Sequence, residues 1–197
     1  MVFVKVINIL KNPYVITFLA YILTYGLHSH VLSPLAYLYD NALTGFASLF
    51  FLPHAVRVLS VWMLGPKALM GLLPAHYLIG YLHYPERDLL DLDMLAPLVA
   101  SLSAVLAFEV FKLANLNLYL DSLQKALHWR TLLLVGAAAS VFNAIGLTFV
   151  YQGYIAPASM YTLMTKYLVG DFLGLVLGLF IIMFICRWLG LTLRNLN

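Results

Sequence analysis

Cysteine occurs once in this 197-residue chain, and charge is nearly as scarce. Eight acidic and eleven basic side chains make up 10% of the residues, where soluble domains carry about 25%. The lone Cys186 excludes a disulfide framework and a cysteine metal cluster. A formal net charge of +3 is too small and too dispersed to hold nucleic acid. Catalytic constellations are missing too: there is no HExxH, no GxSxG, no glycine-rich phosphate loop and no pair of intramembrane aspartates. An enzyme is not expected.

Apolar residues fill the space that charge leaves, at 63% of the chain. A helix needs about 20 apolar residues to cross the hydrocarbon core. Runs of that kind lie at about 14–32, 43–64, 67–84, 95–116, 131–151 and 168–189. The expectation is an all-α polytopic membrane protein, a single bundle of about six transmembrane helices over residues 1–197. Breakers separate the runs: "SPLAYLYDN", "LGPK", "HYPERDLLDLD" and "YQGYIAPAS". The stretch from Asn117 to Arg130 has amphipathic spacing and is expected along the membrane interface. The start, "MVFVKVINILKNP", has basic residues but no small-residue cleavage site, which favours a retained amphipathic lead-in over a cleaved signal.

The basic residues orient the bundle. With both termini cytoplasmic, Lys5, Lys11, Lys67, Lys112, Lys125, Arg130, Arg187 and Arg194 all fall at cytoplasmic ends. Only Arg87 and Lys166 remain outside, and Arg87 stands among Glu86, Asp88, Asp91 and Asp93. That asymmetry predicts an N-in, C-in, multi-pass topology.

Polar groups inside the apolar runs are the candidate site, because a central charge in a bilayer costs several kcal/mol unless protein or water receives it. "LFFLPHAVRVLSVWML" places Pro53, His54 and Arg57 within five residues. His54 and Arg57 can share a helical face, and Pro53 should kink the helix and free a carbonyl one turn earlier. Asn143 and Asp171 lie in the fifth and sixth runs. Counting from the expected ends of the runs, at about 1.5 Å per residue, puts His54 near mid-bilayer and Asp171 about 11 Å shallower. A cavity open to the outside would then be lined by His54, Arg57, Asn143 and Asp171, with Tyr151, Gln152, Tyr154 and Tyr161 at its mouth. The plainer alternatives are a snorkelling Arg57 and an Asp171 that only balances Lys166.

Two small-residue ladders, Ala96/Ala100/Ala104 and Gly170/Gly174/Gly178, can bring helices close, within the bundle or against another membrane protein. Glu109 and Lys112 are spaced for a local ion pair. The cofactor is not specified by the sequence. His54 and His76 at similar depth leave axial ligation of a b-type haem as one alternative.

The segment "LFFLPHAVRVLSVWMLGPKALMGLLPA" resembles the proline-containing helical pair early in the MASE1 family of bacterial membrane sensor domains. "KYLVGDFLGLVLGLFIIM" resembles that family's late helix with its Gly-Asp pair. The number of runs and the alanine ladder are also similar to the substrate-binding subunits of energy-coupling-factor vitamin transporters. Both resemblances imply a helical bundle of a bacterial inner (plasma) membrane that binds a small molecule and acts through a membrane protein partner, or as a homo-oligomer. The expected function is sensing or capture of a ligand, with a transporter subunit or an accessory subunit of a larger membrane complex as alternatives.

Overall fold

The computed structural model describes residues 11–34, 50–83, 95–120, 129–152 and 157–188. Helix is the one kind of regular structure among those residues. Six α-helices follow in order: α1 (Pro13–Leu27), α2 (Pro53–Leu64), α3 (Leu69–His83), α4 (Leu95–Leu113), α5 (Trp129–Tyr151) and α6 (Pro157–Trp188). Five segments are long and apolar enough to cross a membrane, with Pro53–Leu82 counted as one. The protein is a multi-pass membrane protein by that measure. Arg87 and its acidic neighbours lie outside the described residues, as does the amphipathic start up to Leu10.

Local chemistry sets the ends of several helices. Asn12 caps α1 by accepting the Tyr14 amide at 2.9 Å, with Pro13 in the first helical position. The first helix runs on through a π-turn, His28–Leu32. Helix α2 stops at Gly65, whose φ of 61° suits a residue without a Cβ. A 3₁₀ turn, Gly65–Ala68, then leads into α3.

Helix α2 is only 12 residues long and packs against α1, α4, α5 and α6. It forms the axis of the bundle. Seven of its residues are buried, among them Val58 and Val61 at 0% exposure. The core grows outward from this axis through Leu72, Ala75, Ala104, Phe108, Val135 and Leu175. The large apolar side chains left exposed, such as Leu23, Phe149 and Phe184, form the surface that hydrocarbon would cover.

Three expectations are corrected. The second run is not one helix over 43–64. Residues 43–49 lie outside the description, Phe50–Leu52 are not helical, and α2 begins at Pro53. Proline therefore starts this helix instead of kinking it, because its fixed φ and missing N–H suit a first helical position. The last helix begins at Pro157, about eight turns before Arg187, so it is longer than the run over 168–189 suggests. The "PAS" read as part of a linker opens it. Finally, residues 117–120 are not helical and do not begin an interfacial helix. The Leu120 amide donates to the Trp62 carbonyl at 3.0 Å, and the Tyr119 ring stacks on Phe108 at 5.0 Å. The Tyr119 hydroxyl donates to Glu109 at 2.7 Å, and Glu109 pairs with Lys112 at 3.6 Å, the spacing expected. This stretch folds back onto the C-terminal end of α4 and the end of α2; residues 121–128 lie outside the described set.

Candidate functional site

The break before α2 makes the site. Phe50–Leu52 run without helical structure beside α6, and the Phe51 amide donates to the Gly170 carbonyl at 2.9 Å. Gly174 lets this strand of backbone lie directly on α6, and Gly178 does the same for Ala55. The glycine ladder is thus used inside the chain. On the other side, Ala100 and Ala104 of α4 are buried, and Ala96 and Ala100 form part of a cavity wall.

Arg57 sits one turn into α2 at 0% exposure. It does not snorkel. One guanidinium nitrogen, Nη2, donates to Asp171 Oδ1 at 2.9 Å, and Nη1 donates to the Ala100 carbonyl at 3.0 Å. The Phe51 ring lies 5.5 Å beneath its central carbon. Asn143 Nδ2 donates to the other Asp171 oxygen, Oδ2. His54 Nδ1 stands 3.6 Å from that same oxygen. Four residues from α2, α5 and α6 that sequence reasoning singled out therefore meet around one carboxylate.

The 11 Å difference in depth between His54 and Asp171 is not found. Both counts began from the wrong residue: α2 starts ten residues later than the run at 43, and α6 starts eleven earlier than the run at 168. Asp171 is consequently deep, at 1% exposure, and its counterion is Arg57 rather than Lys166.

The cluster borders a cavity of about 490 Å³. Arg57, Asn143, Asp171 and Tyr151 line it. His54 is not a lining residue; it backs Asp171 from behind. Gln152 is exposed in the turn after α5 and is not part of the wall, and Tyr161 at 83% exposure points away from the bundle. Tyr154 lies outside the described residues. The wall also contains groups that sequence reasoning passed over: Tyr21, Tyr25 and His28 of the first helix, Phe51 of the break, and Tyr167 of α6. A signal for the first three was available, since spacings of four and three residues put them on one helical face.

The lining comes from the C-terminal ends of α1, α3 and α5, the start of α4, the approach to α2 and the N-terminal half of α6. Successive helices therefore alternate in direction, and the chain reverses at Gly65. Without that reversal, Phe51 before α2 and Gly80 near the end of α3 could not share a wall.

Two histidines invite chemical readings. His54 Nε2 lies 3.2 Å from both the Gly136 carbonyl and Ser140 Oγ, so Ser140, His54 and Asp171 stand in the order of a hydrolytic triad. Ser140, however, is fully buried, donates its hydroxyl to Gly136 at 2.9 Å, and is not a cavity residue. Substrate in the cavity would not meet it. His76 lines the cavity, stacks on Tyr21 at 4.1 Å, and has Nδ1 2.9 Å from the Leu72 carbonyl and 3.1 Å from Ser101 Oγ. The two imidazoles thus belong to separate hydrogen-bonded sets. No group of three or more potential metal ligands occurs among the described residues.

The fold and site define a class: a helical membrane protein with a buried ion-pair cluster beside a cavity. No protein family, no curated protein and no solved structure matches the chain.

Proposed function

We propose that this chain is a non-catalytic protein of a bacterial inner membrane that holds a small molecule in the cavity beside Arg57 and Asp171, for sensing or for delivery to a membrane protein partner. The observation that carries this reading is a cavity of about 490 Å³ with charged and amide side chains fixed in its wall by bonds to one another. Small-molecule sites have volumes of about 300–1,000 Å³, with mostly apolar or aromatic walls and a few convergent polar groups. Holding Arg57, Asp171 and Asn143 at this depth is costly in a bilayer, which favours a purpose beyond packing. The resemblance to MASE1 sensor domains supports sensing.

Mass spectrometry of small molecules retained by gently purified protein tests the reading. A retained species should be present in the wild type and lost in Ala96→Trp, where an indole fills the cavity from its wall. Retention unchanged by Ala96→Trp would place the bound species elsewhere.

Six spans with both termini cytoplasmic go with this proposal, and the alternating helices support the count. The cavity then opens to the outside. In a Cys186→Ser background, a cysteine at Gln152 should react with a membrane-impermeant maleimide in whole cells, and one at Ala114 only after permeabilisation. The reverse pattern would turn the cavity towards the cytoplasm.

A further inference from the structure

Among the described residues, charge in the cavity wall is unbalanced. Asp171 is the one acidic side chain among the described lining residues, and both its oxygens are engaged, Oδ1 by Arg57 and Oδ2 by Asn143. Arg57 is equally committed, to Asp171 and to the Ala100 carbonyl. These two opposite charges cancel within 2.9 Å. The lining charge that remains is Lys166, partly buried on α6. It lies five residues before Asp171, about 7.5 Å along the helix axis towards the open end of the cavity. No acidic side chain among the described residues pairs with it.

Much of the remaining wall is aromatic. Tyr21, Tyr25, Phe51, Tyr151 and Tyr167 supply rings, and Tyr25 meets Phe51 edge-on at 6.4 Å and 83°. A wall this rich in rings suits a planar apolar body.

Resting on the reading that the cavity is a binding site, we propose that its ligand is an organic anion with a planar apolar body, the acid group facing Lys166 and the body lying among the tyrosines. A cation is disfavoured because the carboxylate that would receive it is already neutralised by Arg57. An uncharged ligand would leave Lys166 with no counter-charge from the described residues, in a partly desolvated wall where Coulomb interactions are stronger than in water.

Three probes that share an indole body separate the possibilities: indole-3-acetate, tryptophol and tryptamine. Each is measured by equilibrium dialysis against the protein in phosphatidylcholine nanodiscs, whose lipid adds no net charge. The acetate should bind about fivefold more tightly than the alcohol, the upper end of what a half-exposed pair contributes, and the amine most weakly. Lys166→Gln should bring the acetate to the level of the alcohol and leave tryptophol unchanged. Binding that Ala96→Trp abolishes, but in which the amine or alcohol ranks first or Lys166→Gln leaves the order intact, would overturn the anion assignment alone. Absence of binding by all three probes at millimolar concentration, or binding indifferent to Ala96→Trp, would remove the cavity reading and this inference with it.

Discussion

Replacing Arg57 with alanine should destabilise the protein by about 3–5 kcal/mol, the range for removing one partner of a buried ion pair. The cost arises mainly from what is left behind. Asp171 would keep its charge at 1% exposure with only Asn143 and the nearby His54 to receive it. The Ala100 carbonyl would lose a donor, and Phe51 would lose the cation above its ring. Arg57→Lys should recover only part of the loss, since one ammonium cannot reproduce a planar fork reaching Asp171 and Ala100 together. The paired replacement Arg57→Met with Asp171→Leu removes both charges and should be close to neutral for stability. Thermal unfolding in detergent reads all four proteins. If Arg57→Lys matched the wild type, or the double variant were as unstable as Arg57→Ala, the buried-pair account would fail. The double variant should also lose whatever the cavity retains, which separates the function of the cluster from its contribution to stability.

The nature of the fold was legible because it depends on composition. Apolar runs of membrane length and scarce charge survive any error in where a helix starts, and each expected run overlaps a helix. Boundaries were less legible. Pro53 looked like a kink because hydrophobicity continues through "LFFLP", and apolar residues do not reveal whether their backbone is helical. In the structure Phe50–Leu52 form a non-helical link that lies against α6, tolerable in a membrane because its backbone groups find protein partners.

The choice of His54, Arg57, Asn143 and Asp171 followed from the cost of polarity in hydrocarbon, and the four do meet. Their pairing was not legible. Lys166 is close to Asp171 in sequence, whereas Arg57 is 114 residues away, and only the shared packing of α2 and α6 makes it the partner. The mouth was placed poorly for a related reason. Tyrosines near helix ends are common at both membrane interfaces, so Tyr161 could not be told from Tyr151 without knowing which face of α6 the bundle covers.

Gly174 should be the least replaceable of the described glycines. A Cβ placed there would sit 2.8 Å from the Phe51 nitrogen and closer still to its carbonyl, all of it backbone that cannot swing aside. Overpacking of this kind costs about 1–3 kcal/mol, and the upper end applies where the obstacle is main chain. Gly174→Ala should therefore lower stability by about 3 kcal/mol and push the Phe50–Leu52 link off α6. The Phe51 amide would then separate from Gly170, and the ring beneath Arg57 would move with it. Gly26→Ala provides the contrast, because a Cβ there meets nothing within 4 Å. Alanine at Gly26 should stabilise helix α1 by about 0.5–1 kcal/mol. Gly136→Ala should fall between them, since its obstacle is the flexible end of Leu175 rather than backbone. Unfolding midpoints of the three variants in one detergent test the order. Equal midpoints for Gly174→Ala and Gly26→Ala would mean that the link does not rest on α6, and the cavity wall built from Phe51 would then lose its support.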